Sequence, residues 1–166
     1  MKLLSLNNKY RNELDGFRAF AILAVFINHI NKDILPNGFL GVDIFFVISG
    51  YVITSSLIRN ENKSFGNFLS KFYEKRIKRL LPALFIYLFI IGFICFLIYP
   101  DPRYFLRTGI TSLFGVSNLY LFKNSNNYFS LNNQLNPFMQ TWSLGVEAQF
   151  YFLYPILFWF TIKSKK

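Results

Sequence analysis

"LFIYLFIIGFICFLIY", residues 84–99, is apolar all round. The core helix of a soluble protein alternates apolar and polar positions with the helical period, and this run does not. A helix with no polar face packs against lipid or other buried helices. Extended back to Leu80, it reaches the length of about 20 residues that crosses a bilayer core. The fold follows from it: a membrane helix bundle.

Three further stretches read in the same way, giving spans at about 14–30, 39–58, 80–99 and 141–162. The composition agrees. Of 166 residues, 53% are hydrophobic and 20% aromatic, 22 of them Phe, and only 16% are charged, against about 25% in soluble domains. Cys95 is the only cysteine and lies inside the apolar block, so it reads as a small apolar filler. Neither a disulfide framework nor a metal cluster is expected. The first span is not read as a secretory signal, because it contains Arg18 and lacks a small-residue cleavage site.

The net charge of +10 raises the question of nucleic acid, but the position of the charges answers it. Lys and Arg between the spans divide thirteen against four. Lys2, Lys9, Arg11, the 59–79 connection and the C-terminal lysines lie on one side; Lys32, Arg103, Arg107 and Lys123 lie on the other. By the positive-inside rule both termini are cytoplasmic. The expected fold is thus all-α and polytopic, with about four transmembrane helices in the cell inner membrane. Its basic excess is a topology signal, with membrane lipids as partners and no nucleic acid.

Residues 100–140 form the long outer connection. "YPDPRYF" (99–105) opens it and the Asn-rich "KNSNNYFSLNNQLNP" (123–137) closes it. Between them "FLRTGITSLFGVSNLYLF" (105–122) reads as one helix, at the outer interface or tucked into the bundle. As a fifth span it would carry the terminal lysines outside and spoil the charge count.

Ionisable groups at membrane depth are functional hypotheses by default. Arg18 and the only histidine, His29, are eleven residues apart, which puts them within about 20° of each other on one helix face and about 16 Å apart. The bland alternative is a snorkelling Arg and an interfacial His. Asp43 falls near the outer end of the second span, level with His29. A carboxylate there can orient an imidazole, or simply cap its own helix. Gly38, Gly41 and Gly50 permit close helix contact. In the fourth span Glu147 lies five residues, about 7 Å, below the belt residue Trp142. It can accept a proton, pair with a buried cation or bind substrate, with Gln149 and Tyr151 adding hydrogen-bonding groups. Arg76 and Arg79, three apart in "KFYEKRIKRLLPAL" (71–84), suit phosphates or anionic lipid. The expected arrangement is two stacked sites. A cytoplasmic one is rich in Arg, and an outer one with His29, Asp43 and Glu147 suits acid–base chemistry.

These segments together resemble the membrane-bound acyltransferase-3 family. "YRNELDGFRAFAILAVFINH" (10–29) is similar to its first helix, whose hallmark is an Arg and a His separated by ten residues, matched by Arg18 and His29. "GFLGVDIFFVISGYVIT" (38–54) resembles its second helix, "FYEKRIKRLLPAL" (72–84) the basic entry to its third, and "TWSLGVEAQFYFLYP" (141–155) a later segment. The resemblance implies O-acylation, usually O-acetylation, of a cell-envelope carbohydrate such as lipopolysaccharide O-antigen, exopolysaccharide or peptidoglycan. It implies acetyl-CoA as a cytoplasmic donor and no bound cofactor. His29 would be the catalytic base or acyl relay, with Asp43 or Glu147 steadying its protonated form. Arg18, Arg76 and Arg79 would contact the donor. The chain departs from the family at Gln140, where His is common, and at Ala148, where a second Glu is common. The resemblance covers the N-terminal part of the family's domain, so a missing C-terminal half is an expected partner. The rival expectation is a transport component or an inactive remnant.

Overall fold

The computed structural model describes residues 11–59, 64–124 and 135–163. Lys2, Lys9, Lys63, Lys165, Lys166 and the Asn-rich stretch from 125 to 134 lie outside the described residues. Among the described residues all regular structure is helical, and the chain divides into two compact units, 1–62 and 63–166.

The first unit is a helical hairpin of α1 (Asn12–Ile30) and α2 (Gly41–Ile58). Asn31 turns extended and ends α1. Asn28, in the last turn, donates its side-chain amide to the carbonyls of Leu35 (2.8 Å) and Pro36 (3.1 Å), folding the connection back on the helix. A 3₁₀ turn, Gly38–Leu40, then leads into α2. The buried stripe of α1 is Ala21, Ala24 and Asn28, spaced three and four apart as one helix face requires. Gly38 and Gly41 sit on that stripe. A Cβ at Gly38 would meet the Ala24 carbonyl and lie 2.7 Å from Asn28 Cβ; one at Gly41 would meet the Ala21 carbonyl and lie 2.8 Å from Val25 Cγ2. Small residues on both helices let the backbones approach this closely. Gly50 does not share the role, because nothing lies within 4 Å of a Cβ built there.

The second unit is organised by α3 (Phe65–Ile98), a single helix of 34 residues, about 51 Å long. It begins fifteen residues before the expected span. Lys and Arg are good helix formers, and Glu74 pairs with Lys78 at 2.6 Å, four residues on, so the basic run continues the apolar helix. The antiparallel partner of α3 along its first two-thirds is the last helix, α6 (Thr141–Lys163). Phe65 and Phe68 meet Trp159 with ring centroids 5.4 and 5.1 Å apart, and Phe72 meets Tyr151 at 6.3 Å. The Tyr73 hydroxyl donates to the Phe152 carbonyl at 3.1 Å, and Gln140 donates to the Tyr87 hydroxyl at 2.6 Å.

The apolar C-terminal end of α3 packs against α4 (Arg103–Leu113) instead. Tyr99 contacts Phe105 at 4.7 Å, and glycines 92 and 109 face Leu106 and Leu88. The stretch expected as one helix over 105–122 is therefore two, α4 and α5 (Ser117–Asn124). Gly115 breaks it with φ of 67°. Val116 N–H bonds the Thr111 carbonyl at 3.0 Å and Gly115 N–H the Ser112 carbonyl at 3.1 Å, the paired bonds of a Schellman C-terminus.

Two helical segments among the described residues are long and apolar enough to cross a membrane. They are Gly38–Ile58, with mean hydropathy 1.7, and Phe65–Ile98, with 2.8. A buried core helix could pass the same test, but only 22% and 11% of the respective apolar windows are buried. Surface this apolar and this uncovered is out of place in water. The other two expected spans are long enough at 19 and 23 residues. They are more polar, α1 carrying Glu13, Asp15, Arg18 and His29, and α6 carrying Glu147 and Gln149.

Candidate active site

His29 lies in the last turn of α1 and is exposed. Its Nδ1 is 2.8 Å from the Val25 carbonyl oxygen. A carbonyl oxygen can only accept, so this bond requires a proton on Nδ1, and in the neutral ring Nε2 is then the acceptor. The Val25 carbonyl thus favours the Nδ1–H tautomer of the neutral ring. Asp43, which the sequence allows either to orient this ring or to serve the start of its own helix, makes no bond to His29. Gly41 is the residue of α2 that touches α1, and Asp43, two positions later, is turned by about 200° from it. Among the described residues the Asp43 carboxylate is exposed, has no hydrogen-bond partner and stands in the first turn of α2, where a negative charge is favoured by the helix dipole. Arg18, half-buried with its side chain 19% exposed, pairs with Asp15 at 3.5 Å. It shares the His29 face of α1, beside the stripe packed on α2.

In the second unit Glu147, Arg76 and Tyr151 form one cluster. The Tyr151 hydroxyl donates to Glu147 Oε1. The Arg76 guanidinium carbon lies 5.1 Å from the centroid of the Tyr151 ring and 5.2 Å from that of Phe72. Both rings are buried. Because α3 and α6 run antiparallel with Arg76 opposite Tyr151, Glu147 comes level with the start of the 80–99 span. Sequence reasoning placed Glu147 near the outer end of its helix, by measuring down from Trp142. The structure groups it, through Tyr151, with Arg76 in the basic entry of α3. Arg79 is exposed on the following turn.

Sequence reasoning missed the buried polar corner where α4, α5 and the start of α6 meet. Asn136 Nδ2 donates to Thr108 Oγ1 at 2.9 Å, Ser112 Oγ approaches Thr141 Oγ1 at 2.7 Å, and Ser117 Oγ donates to the Thr141 carbonyl at 2.7 Å. Gln149 and Asn118 exchange side-chain amide bonds, and Gln149 also donates to the Gly115 carbonyl at 3.1 Å. Gln140 and Ala148, the two departures from the family pattern, flank this corner. Gln140 bonds Tyr87, and Ala148 Cβ lies 2.8 Å from where a Cβ on Gly115 would stand. The corner had a signal, a run of Ser, Thr and Asn within an apolar segment, but only the fold shows that these side chains meet.

The family model described as an acyltransferase domain matches residues 11–166. The chain belongs to the acyltransferase-3 family. It is 38% identical over 161 residues to the O-acetyltransferase OatA of Staphylococcus aureus strain NCTC 8325, covering 95% of this chain and 26% of that protein. It is 40% identical over 150 residues to a protein of strain MSSA476 named "Putative O-acetyltransferase", covering 90% of this chain and 25% of the relative. The chain thus spans about a quarter of the length of the curated relatives it matches. No solved structure matches it. As an acyltransferase-3 chain it is membrane-associated, consistent with its two long apolar helices. The pair that the resemblance singled out, Arg18 and His29, falls within the matched residues.

Proposed function

We propose that this chain is the N-terminal portion of a multi-pass inner-membrane O-acyltransferase that moves an acetyl group from acetyl-CoA to a hydroxyl of a cell-envelope carbohydrate. The observation that carries the reading is His29, whose Nδ1 is tied to the Val25 carbonyl and whose Nε2 is left as an acceptor. In this reading Nε2 takes the proton of the acceptor hydroxyl as its oxygen attacks the thioester carbonyl carbon. The new C–O bond forms, the C–S bond breaks, and the imidazolium returns the proton to the departing thiolate. Arg18, Arg76 and Arg79 serve the phosphorylated donor, because a guanidinium matches phosphate oxygens with paired N–H groups. Four spans with both termini in the cytoplasm, as the charge count favours, bring the basic start of α3 to the side where acetyl-CoA is made.

The test is base-labile acetate released from envelope polysaccharide. Cells producing this chain, its H29A variant or neither are compared, with the protein located in the membrane in each case. Extra acetate that disappears with H29A is the expected result. Acetate that persists in H29A would overturn the assignment of His29. Passage of a ligand without acetyl-CoA consumption would favour transport, and neither activity would mark an incomplete or inactive chain.

A further inference from the structure

The basic run at the start of α3 treats one residue differently from the others. Lys71, Lys75, Lys78 and Arg79 are exposed, and Lys78 is paired with Glu74 at 2.6 Å. Arg76 is half-buried and lies against two buried rings. A long basic side chain near an apolar surface ordinarily snorkels toward water or lipid headgroups. Arg76 is held back from that by named contacts. Phe72, one turn earlier on the same helix, supplies one ring, and Tyr151 of α6 supplies the other. Tyr151 is itself fixed through its hydroxyl to Glu147, one turn away on α6. The neighbouring bond from Tyr73 to the Phe152 carbonyl, 3.1 Å, fixes the two helices at the same level.

We propose that Phe72, Tyr151 and Glu147 are positioning residues that hold the Arg76 guanidinium in place for a phosphate group of the acyl donor. The inference rests on the donor assignment made above and says how one of its arginines is set. The chemistry favours it over a purely structural knot. A guanidinium carries five N–H donors in a fork that matches phosphate oxygens, and a ring contact leaves its charge in place. An arginine fixed in this way loses less side-chain freedom on binding, since free rotamers must otherwise be frozen. Glu147 acts through Tyr151, and this gives it a role distinct from acid–base chemistry at His29.

The experiment is a titration of coenzyme A into the full chain in lipid nanodiscs, with size-exclusion and thermal melting to measure the folded fraction. Y151L removes one ring and F72L the other, so one variant serves if the other fails to fold. Each is expected to weaken coenzyme A binding roughly 3- to 30-fold, the size of one lost cation–ring contact. Y151F, which keeps the ring but loses the bond to Glu147, should fall between wild type and Y151L. Unchanged binding in folded Y151L and F72L would overturn the proposal while leaving the donor assignment intact. Wild-type protein that does not bind coenzyme A would overturn both. Variants that lose anionic-lipid retention in mixed-lipid discs, with coenzyme A binding unchanged, would assign Arg76 to lipid phosphate and overturn it as well.

Discussion

The same substitution placed twice on α2 should have opposite signs. At Gly41 an added Cβ would stand 2.8 Å from Val25 Cγ2 and against the Ala21 carbonyl, while at Gly50 it meets nothing within 4 Å. Neither obstacle at Gly41 yields easily, because one is backbone and the other is a β-branched side chain with few rotamers. Relief requires the helices to separate, and forcing an extra methyl into a packed contact costs about 1–3 kcal/mol. Both substitutions gain the helix propensity of Ala over Gly, about 1 kcal/mol. That gain cancels in the comparison, so G41A minus G50A isolates the contact between α1 and α2. For a chain of this size the difference should separate the two melting midpoints by roughly 2–12 °C, with G50A at or above wild type. Melting in detergent, followed by tryptic digestion of the 31–40 connection, is a suitable assay. Equal destabilisation by G41A and G50A would refute the reasoning, since it would show that Gly50 is packed as tightly as Gly41.

Other consequences follow from single sites. G115A combines a left-handed backbone penalty of about 1–2 kcal/mol with a clash against Ala148, whose Cβ would lie 2.8 Å away, and should destabilise the α4–α5 corner more than any alanine placed at Gly66. Hydrogen exchange at Val116 would register it. Asn136→Ala removes a buried amide that bonds Thr108 Oγ1 and Phe138 N–H; a loss of about 1–3 kcal/mol is expected, and a variant with an unchanged melting curve would count against the corner as a structural unit. The Nδ1–H tautomer of His29 predicts an imidazole nitrogen spectrum in which Nε2 is the unprotonated nitrogen at high pH, and the opposite tautomer would remove the Val25 contact from the argument. Asp101 takes side-chain and backbone hydrogen bonds from Arg103, which hold its carboxyl at about 2 against an ordinary 3.8. Since its folded value is depressed, the contribution of this pair is present above about 3.8 and fades as pH falls toward 2. A carboxyl titration that instead centres near 3.8 would show the pair to be open in solution.

Runs of apolar residues made the helices legible, and the same runs hid how the helices face one another. The 84–99 block and the capacity of Gly38 and Gly41 for close helix contact could be read from residue type, because lipid-facing helices and small residues leave one-dimensional patterns. Azimuth and register leave none. Asp43 matches His29 in depth yet points away from α1, and only the contact made by Gly41 shows it. Spacing from Trp142 along its own helix does not show that Glu147 meets α3 through Tyr151 and Arg76. A helical basic run leading into α3 is legible in Arg76 and Arg79, three apart on one helix face, but its start at Phe65 is not. The break at Gly115 was readable too, as a glycine inside a helical pattern.

That break explains why the missed polar corner exists at all. Ending one helix and starting another beside the apolar end of α3 exposes carbonyl and N–H groups where lipid could not satisfy them. The chain supplies the partners from within. Two Schellman bonds close α4, Gln149 caps the Gly115 carbonyl, and Ser117 reaches the Thr141 carbonyl at the start of α6. Gly145 leaves room for this contact, since a Cβ there would lie 2.8 Å from Asn118 Oδ1. No buried side-chain polar atom among the described residues lacks a hydrogen-bond partner. Each buried side-chain polar atom of this corner is thus paired within the chain. The corner therefore ties the start of α6 to α4 and α5.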